Sequence, residues 1–405
     1  MKLDLPKGNA AIGQSGGPTA VINESLVGCV KALRKFTQVK KILGMRHGVN
    51  GLVKDQLVDL GRMNKEHLEK VATTPSAALG SSRDKPDAEY CQQILAACQK
   101  HKIRYFFYIG GNDSSDTCRI VNELAHTSGY DMRCFHVPKT VDNDLMMSDH
   151  CPGFPSAARF LAQAFMSDSL DNASLPGVKI NVVMGRHAGF LTAAAALARG
   201  EGKDADRNGP HLIYLPEVPF ESERFLADVE RVYSRLGRCQ VAVSEGIQNA
   251  AGAPVVTTLV QGLDRDTHGN VQLSGVAALG DALADLVKKN VKTASGAAVR
   301  VRADTFGYLQ RCWPDPSPID SAEARAVGKF AVQLAMKGEL SGSVAIIRKS
   351  SKPYRSDLKH IELGDVAGKT KHMPPEFIDG HCNVSKAFIK YCRPLVGELP
   401  EMVRI

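Results

Sequence analysis

Residues 133–144 read Arg-Cys-Phe-His-Val-Pro-Lys-Thr-Val-Asp-Asn-Asp, so a short predicted strand runs directly into a polar turn. We expect the strand over residues 133–137, and the turn carries the ammonium of Lys139 and the carboxylates of Asp142 and Asp144. One aspartate can accept the proton of an attacking hydroxyl, a second can orient a magnesium-bound phosphate, and a lysine can neutralise the phosphate that leaves. The turn therefore has the groups that a phosphoryl-transfer site requires.

Short apolar runs that end in glycine-rich loops recur along the N-terminal half of the chain. Residues 10–12 lead into the loop 13–19 and then into helical spacing of apolar residues as far as Leu33. Residues 103–109 lead in the same way into a loop at 110–116 and a further helix. More strands are predicted at residues 178–184, 211–215 and 240–243. This alternation predicts an α/β protein with parallel sheets covered by helices.

The length of the chain predicts two lobes. A chain of 405 residues exceeds what one hydrophobic core usually supports, and a cleft is expected between two cores. We place the lobes at residues 1–150 and 151–311, with 312–405 as a return segment and C-terminal extension. The alternating prolines Pro314, Pro316 and Pro318 favour a rigid connection where the chain returns to the first lobe.

Composition narrows the class of protein. An apolar content of 43% and a charged content of 23% are those of an ordinary globular protein, and the net charge of +8 fits either a solvated surface or a cationic cleft for anionic substrates. Basic residues do not alternate with aromatics in long runs, which argues against nucleic acid as a partner. The ten cysteines form no Cys-x-x-Cys pair and no long apolar run occurs, so we expect reduced thiols, no membrane segment and a cytoplasmic location.

The loop Gly13-Gln14-Ser15-Gly16-Gly17 lies at a predicted strand-to-helix junction. Backbone N–H groups and a helix N-terminus can bind phosphate there, because glycine removes the side chain that would block its approach. A tight turn that needs positive φ explains the loop equally well. Its spacing is neither that of a Walker A loop nor Gly-x-Gly-x-x-Gly, which argues against an ordinary NTPase or a dinucleotide oxidoreductase.

The Thr-Val-Asp-Asn-Asp turn and the two glycine loops together resemble the phosphofructokinase family, over residues 10–328. A lysine directly before that turn, Lys139, resembles the pyrophosphate-dependent branch. The resemblance implies two Rossmann-like lobes, the first binding the phosphoryl donor and the second the sugar phosphate, with the active site in the cleft between them. It implies a glycolytic enzyme that phosphorylates the 1-hydroxyl of fructose 6-phosphate reversibly from magnesium pyrophosphate, giving fructose 1,6-bisphosphate and phosphate. It also implies a homodimer or homotetramer.

Two residues decide the donor within this resemblance. ATP-dependent relatives typically have Asp-Gly after the glycine pair, whereas this chain has Asn112-Asp113. The carboxylate of Asp113 would occupy the space of the α-phosphate of ATP and repel it, while Lys139 would stabilise the free phosphate that leaves pyrophosphate. A helix N-terminal acid and a surface lysine are the alternative readings of these two residues. Gly17 and Gly111 are the remaining predicted donor contacts.

Mg²⁺ is the expected cofactor, and Asn112 stands where the family usually has an aspartate that helps to hold it. An amide oxygen can still ligate Mg²⁺ but supplies no charge. We therefore expect the metal to be held chiefly by pyrophosphate, with supporting contacts from Asn112 and Asp144.

The resemblance also assigns the acceptor side and the catalytic roles. Asp142 is the expected base, Thr140 and Asp144 position the phosphates, and Lys139 and Arg83 stabilise the transferred charge. The remaining predicted contacts to fructose 6-phosphate are Val141, Met184, Gly185, Arg186, Glu217, Arg302, Tyr308 and Arg311.

The chain departs from the resemblance at two further positions. An arginine that many relatives carry shortly before Met-Gly-Arg is missing, with only Lys179 nearby. The arginine of the allosteric bacterial relatives falls on Val27, which favours a non-allosteric enzyme.

Two other functions stay open. An ATP-dependent 6-phosphofructokinase would share the sugar contacts, and a non-catalytic sugar-phosphate-binding subunit would be expected to lack Asp142. Other acceptors, such as sedoheptulose 7-phosphate, are also left open.

Overall fold

The computed structural model describes residues 5–85, 87–201, 205–260 and 277–403. The chain divides into two compact units, each built from two stretches of sequence. The first unit comprises Met1–Ala157 and Arg311–Lys371, and the second comprises Ala158–Gln310 and His372–Ile405. The changes of unit therefore follow residues 157, 310 and 371, whereas the sequence placed boundaries after 150 and 311 and assigned everything beyond to one return segment and extension.

The strands in the described ranges are, in chain order, β1 (Gly8–Gln14), β2 (Val39–Met45), β3 (Leu57–Asp59), β4 (Ile103–Gly110), β5 (Arg133–Pro138), β6 (Val178–Val183), β7 (Leu212–Tyr214), β8 (Cys239–Ser244), β9 (Val301–Thr305), β10 (Ser341–Ser351) and β11 (Tyr354–Ile361). The α-helices are α1 (Ile22–Leu33), α2 (Val49–Val53), α3 (Lys65–Thr73), α4 (Ala88–Lys100), α5 (Asn112–Thr127), α6 (Phe154–Ser174), α7 (Phe190–Ala194), α8 (Ser222–Leu236), α9 (Val255–Leu259), α10 (Ala278–Asn290), α11 (Leu309–Cys312), α12 (Pro318–Met336), α13 (Leu363–Val366) and α14 (Lys386–Val396). Short 3₁₀ helices lie at Leu60–Arg62, Ala195–Arg199, Ala205–Arg207 and Pro375–Phe377.

The sheet of the first unit has the strand order β11-β10-β5-β4-β1-β2-β3. Its inner strands pair in parallel, and the antiparallel pairs β10–β11 and β2–β3 lie at the two edges. Strand β4 reads Ile-Arg-Tyr-Phe-Phe-Tyr-Ile-Gly and is buried throughout except at Arg104. Such a run is typical of a parallel strand that helices cover on both faces.

The register of this sheet brings three loops to one edge. Gln14 at the end of β1 pairs with Ile109, and Gly110 at the end of β4 pairs with Pro138 at the end of β5. Because the carboxyl ends of neighbouring parallel strands meet at the same edge, the loops that follow β1, β4 and β5 emerge side by side. Those loops are the two glycine loops and the Thr-Val-Asp-Asn-Asp turn.

Hydrophobic layers cover both faces of the sheet. One layer includes Ile12 and Phe107 of the sheet and Val327 of α12, and the other includes Phe106 and Cys118. Helices α1 and α12 approach each other closely at two glycines. A Cβ atom added at Gly28 would lie 2.3 Å from the carbonyl oxygen of Arg325, and one added at Gly328 would lie 2.2 Å from that of Ser25.

The second unit contains a parallel sheet with the order β7-β8-β6-β9. Its core includes Val182 and Val241 on the strands and Phe225 and Leu283 on the helices. The ends of β6 and β7 both align with β8, so the segments that follow them, at residues 184–189 and 215–217, also leave the sheet at one edge.

The predicted fold class is confirmed, since both sheets are mainly parallel and are covered by helices. The predicted strands fall on β1, β4, β5, β6, β7 and β8, with ends that differ by one or two residues. Strands β2, β3, β9, β10 and β11 had not been predicted. Within the part of the chain that the structure describes, no helix has both the length and the apolar character that a membrane crossing requires.

Candidate active site

The loop after β1 is held against Lys139 and Arg311. The Nζ atom of Lys139 donates a hydrogen bond to the carbonyl oxygen of Gly17 over 2.7 Å. A Cβ atom added at Gly17 would lie 2.8 Å from Cζ of Arg311. Gly16 has φ of 74°, and its carbonyl oxygen accepts a hydrogen bond from Ser81. Gly16 is therefore required by its backbone conformation and Gly17 by the close approach of a guanidinium group.

Lys139 is the most perturbed cation of this loop cluster. Its side chain is only 3% exposed, and burial lowers its pKa to about 8, with Arg311 and then Arg83 adding repulsion. The carboxylates of Asp142 and Asp144 act in the opposite direction but do not cancel the effect. Bringing a buried ammonium next to two guanidinium groups is unfavourable unless an anion joins them, so the cluster is suited to bind phosphate.

The loop after β4 leads into the N-terminus of α5. Gly111 is the N-cap residue of this helix, and no side chain caps it. Uncapped amides at the start of a long helix favour an anion. The carbonyl oxygen of Gly110 accepts hydrogen bonds from the Lys139 amide over 2.9 Å and from Nε2 of the buried His136 over 2.8 Å. His136 was not singled out from the sequence, because a histidine inside a strand gives no signal of its own.

Asn112 and Asp144 are in direct contact. The amide nitrogen of Asn112 donates to Oδ2 of Asp144 over 3.2 Å, which turns its Oδ1 atom away from that carboxylate. This Oδ1 atom is buried and has no hydrogen-bond partner among the described residues. A carboxylate and a buried, unpartnered amide oxygen are hard oxygen donors of the kind that Mg²⁺ prefers, so these residues fit the expected metal.

The turn after β5 is fixed by its own hydrogen bonds. The amide of Asp142 donates to Oγ1 of Thr140 over 3.1 Å, and the carbonyl oxygen of Asp144 accepts from the amide of Lys371 over 2.7 Å. Between them, Asn143 adopts a left-handed conformation with φ of 60°, and its Oδ1 accepts from the amide of Cys151 over 3.0 Å. Lys371 and Asn143 were missed as supports because their partners are distant in sequence or are backbone atoms.

Asp113 and Arg83 lie at the surface of the first unit. Oδ1 of Asp113 pairs with Nζ of Lys85 over 3.5 Å, and the two side chains are 63% and 73% exposed. An exposed pair of this kind stabilises by ~1 kcal/mol at most. Arg83 is likewise exposed, although its charge reaches Lys139. Asp113 occupies the first turn of α5, so its position is compatible with both the donor-selecting and the helix-stabilising interpretation.

The segment after β6 is rigidly held in the second unit. The amide of Met184 donates to Oε1 of Gln310 over 3.1 Å, and the carbonyl oxygen of Gly185 accepts from Oγ of Ser244 over 2.7 Å. Gly185 has φ of 123°, which a larger residue rarely adopts. Arg186 follows it, and its own carbonyl oxygen lies against Gly246. Gln310 had been passed over beside the aromatic and the arginine of its Tyr-Leu-Gln-Arg segment.

Glu217 has one oxygen in use and one available. Its Oε1 atom accepts hydrogen bonds from the amides of Gly189 over 2.8 Å and Met373 over 3.1 Å. Its Oε2 atom is buried without a hydrogen-bond partner among the described residues. Burial raises the pKa of this carboxyl above its usual value, and the backbone amides only partly oppose the change. A sugar hydroxyl is a suitable donor to such an oxygen.

The other predicted sugar residues differ in their surroundings. Arg302 on β9 is exposed and donates to the carbonyl oxygen of Val301, and Tyr308 is 48% exposed. Lys179 is committed elsewhere, because its Nζ atom lies 2.5 Å from both Asp168 and Asp171. It therefore does not take the place of the missing arginine.

The structure brings most of the predicted residues into two groups, one in each unit. The donor loops, the Thr-Val-Asp-Asn-Asp turn and Lys139 are together in the first unit, and the segment after β6 and Glu217 are in the second. Arg311, predicted as a sugar contact, belongs to the first unit and lies beside Gly17 and near Lys139.

Comparison with known proteins gives a consistent result. A family model described as Phosphofructokinase matches residues 9–335. The pyrophosphate–fructose 6-phosphate 1-phosphotransferase of Rhodospirillum rubrum is 54% identical over 403 residues, which are 98% of this chain and 97% of that protein. The enzyme of the same name from Xanthomonas campestris is 38% identical over 98% of this chain and 93% of its own length. The crystal structure of a pyrophosphate-dependent phosphofructokinase from Marinobacter aquaeolei is similar with a TM-score of 0.83 and 34% identity, covering 98% of this chain and 94% of that one.

Proposed function

Because this chain belongs to the phosphofructokinase family, we propose that it transfers a phosphoryl group reversibly from magnesium pyrophosphate to the 1-hydroxyl of fructose 6-phosphate. The products are fructose 1,6-bisphosphate and phosphate. Relatives that match nearly the whole chain are named for this reaction, which supports the proposal. The single observation that carries the choice of donor is the buried ammonium of Lys139 at the Gly17 loop.

Lys139 acts on the phosphate that leaves. Its ammonium has three N–H donors, and one of them goes to the carbonyl oxygen of Gly17. The others are available to phosphate oxygens at a buried position, where an electrostatic interaction is stronger than in water. When pyrophosphate is the donor, charge grows on a free phosphate that no nucleoside shields, so this ammonium stabilises the transition state more than the ground state.

Asp142 acts on the hydroxyl that attacks. Its backbone is held by the hydrogen bond to Thr140, and the neighbouring left-handed Asn143 is anchored to Cys151. A carboxylate held in place can take the proton of the 1-hydroxyl as that oxygen attacks the terminal phosphorus of pyrophosphate. In the reverse direction the same group returns the proton to the sugar oxygen as its bond to phosphorus breaks.

Mg²⁺ would be held by the pyrophosphate together with Asn112 and Asp144. Bound there, the ion would supply positive charge to the phosphate oxygens. The contribution of the protein is to hold Asn112 in the orientation that presents Oδ1, through the hydrogen bond of its Nδ2 to Asp144. The exposed Arg83, whose charge acts on Lys139, would add positive charge near the transferred phosphate.

The segment after β6 and Glu217, both in the second unit, would bind the sugar of the acceptor. Oε2 of Glu217 would accept a sugar hydroxyl, and the backbone of Met184, Gly185 and Arg186 would lie along the sugar. Arg311 is proposed to bind the 6-phosphate, and its position beside Gly17 supports a second proposed role toward the phosphoryl group in transfer. Arg302 and Tyr308 remain weaker candidates, since both are exposed.

The cellular setting follows from the same proposal. A cytoplasmic, non-allosteric glycolytic enzyme that works as a homodimer or homotetramer is consistent with the family and with Val27 at the position of the effector-binding arginine.

The decisive experiment compares donors on the full chain. Fructose 6-phosphate and Mg²⁺ are supplied with either pyrophosphate or ATP, and the formation of fructose 1,6-bisphosphate is followed. We expect turnover with pyrophosphate to exceed that with ATP, and phosphate plus fructose 1,6-bisphosphate to regenerate pyrophosphate. Equal or faster turnover with ATP would establish the ATP-dependent alternative. Binding of fructose 6-phosphate without turnover from either donor would instead indicate a regulatory subunit.

A further inference from the structure

Asp228, His381 and Cys382 form a cluster in the second unit that the proposed reaction does not use. Asp228 lies on α8, and the other two residues are neighbours in the segment before α14. One ligand atom from each residue, a carboxylate oxygen, an imidazole nitrogen and the thiol sulphur, lie within 4.8 Å of one another.

The side chains of His381 and Cys382 both hydrogen-bond to Asp228, and a bound cation would replace the protons of these hydrogen bonds. Nε2 of His381 lies 2.5 Å from Oδ2 of Asp228, and the thiol of Cys382 hydrogen-bonds to the same carboxylate. A hydrogen bond that joins two ligand atoms occupies the space in which a metal ion would bind both. Binding of a cation would release the thiol proton to solvent and leave the thiolate as a ligand, and His381 would bind through an unprotonated Nε2 with its remaining proton on Nδ1.

Two further hydrogen bonds, from Tyr214 and Arg231, orient the carboxylate of Asp228. The hydroxyl of Tyr214 donates to Oδ2 over 3.0 Å, and Nη2 of Arg231 donates to Oδ1 over 2.9 Å. Hydrogen bonds of this kind around a ligand fix its direction, and they are typical of metal sites. Tyr214 and Asp228 are both buried, so this orientation is held inside the unit.

The backbone that carries His381 and Cys382 is anchored as well. The carbonyl oxygen of Cys382 accepts a hydrogen bond from the amide of Ile213 on β7 over 2.9 Å, and Ile378 pairs with Val384 across the intervening turn. All three ligands are therefore presented by segments whose positions are set by the fold.

The donor types select the metal. A thiolate, an imidazole and a carboxylate suit Zn²⁺, whereas Mg²⁺ prefers oxygen ligands. Three protein ligands leave a fourth position of a tetrahedral ion for water. We propose that Asp228, His381 and Cys382 form a binding site for one Zn²⁺ ion, which links α8 to the segment before α14 at a distance in sequence from the phosphoryl-transfer residues.

Cobalt and zinc titrations of the full chain test this site. Co²⁺ is the spectroscopic probe, because a cobalt–thiolate bond gives an absorption band in the near ultraviolet that oxygen and nitrogen ligands do not. We expect the band in the unaltered chain and in Cys312→Ser, which removes another half-buried cysteine, and its absence in Cys382→Ser. Competition with a chelator should show that His381→Gln weakens Zn²⁺ binding by ~10-fold or more. Loss of a group that only hydrogen-bonds to a metal ligand typically costs ~10–100-fold, and loss of the ligand itself should cost no less.

The thermal unfolding midpoint gives an independent readout. It should rise with added Zn²⁺ in the unaltered chain, because a ligand that binds only the folded state stabilises it, and should rise much less in His381→Gln. Millimolar Mg²⁺ should not displace the ion. A cobalt–thiolate band that persists in Cys382→Ser, or Zn²⁺ binding that His381→Gln leaves unchanged, would overturn the proposal. So would the lack of a thiolate band in the unaltered chain, and the three residues would then be a hydrogen-bonded cluster only.

Discussion

At the scale of single residues, Lys139 has an unusual environment for a cation. Its ammonium is buried, it contacts the carbonyl oxygen of Gly17, and Arg311 and Arg83 repel it. A bound anion would offset both the burial of this charge and the repulsion from the two guanidinium groups. We expect pyrophosphate binding to stabilise the charged form of this lysine.

The pKa of Lys139 predicts a pH dependence. Burial first, and then Arg311, lower this pKa from 10.5 to about 8, so the charged form is lost as pH rises through that value. We expect kcat/KM for pyrophosphate to fall on the alkaline side of about 8, since this parameter reports ionisation of the free enzyme. Lys139→Arg should move the fall to higher pH, because a guanidinium stays charged. Pyrophosphate titrates identically in both profiles, so coincident alkaline limbs would contradict the assignment.

Asp142 is the proposed general base, and its substitution tests that role. Asp142→Asn keeps the size of the side chain but cannot accept a proton, so kcat should fall by at least ~10²-fold while the KM for fructose 6-phosphate changes little. Steady-state kinetics with pyrophosphate in excess measure both parameters. Asp357→Asn, at an exposed position on β11, is the matched control and should leave kcat unchanged. A near-normal kcat for Asp142→Asn would exclude this residue as the base.

Arg311 is expected to act on both substrates. Loss of its charged hydrogen bonds in Arg311→Ala should cost about 1.5–3 kcal/mol in sugar binding and raise the KM for fructose 6-phosphate roughly 10–100-fold. Because its guanidinium lies against Gly17, we also expect kcat to fall. Arg355→Ala on the exposed face of β11 should change neither value. If only kcat fell, Arg311 would act on the transferred phosphate alone, and an unchanged kcat and KM would remove it from the site.

At the scale of elements, substitution of Gly17 is predicted to lower activity, whereas substitution of Gly328 is predicted to lower stability. In Gly17→Ala the new methyl group meets the tip of the flexible Arg311 side chain, so activity should fall while the free energy of unfolding changes little. In Gly328→Ala it meets the Ser25 carbonyl oxygen of α1 at 2.2 Å, which forces α1 and α12 apart and should cost ~1–3 kcal/mol of stability. Denaturant unfolding and activity assays on both variants measure the contrast. Equal destabilisation by the two would mean that Gly17 is a structural residue.

The elements also show where sequence reasoning succeeds and where it stops. Strands β1 and β4 were predictable because short apolar runs lead there into glycine-rich loops, and β5 because its run leads into a polar turn. That their loops meet at one edge follows from parallel pairing. Strand β10 changes from a buried run to a more exposed end, and β11 alternates half-buried with exposed residues without an apolar run, and both were missed. Contacts such as Arg311 with Gly17 or Gln310 with Met184 depend on non-local packing, which no local pattern encodes.

At the scale of the whole molecule, we propose that the choice of donor depends on two residues of the first unit, the exposed Asp113 and the buried Lys139. Asp113→Gly should permit weak turnover with ATP, because it removes the bulk and charge that face an α-phosphate. Lys139→Gly should chiefly lower the pyrophosphate-dependent rate. Kinetics with both donors on the two single variants and the double variant measure each effect.

Lys85→Ala is the control for this experiment. It removes the ion-pair partner of Asp113 but leaves the carboxylate, so the preference for pyrophosphate should persist. Faster turnover with ATP in Lys85→Ala than in Asp113→Gly would show that the pair, and not the acid, sets the preference.

The pairing of β5 with β10 has a consequence for how the chain is made. Strand β5 leads into the Thr-Val-Asp-Asn-Asp turn, yet its partner on one side arrives only with Ser341 and Gly342, after the whole first stretch of the second unit has been synthesised. Until then the nascent chain has an open sheet edge at β5, while residues 139–340, about half of the chain, are being synthesised. Unpaired strand edges promote association between chains. A chain that stops before β10 should therefore aggregate. During synthesis of the full chain, association through the β5 edge is possible until residue 342 has emerged from the ribosome.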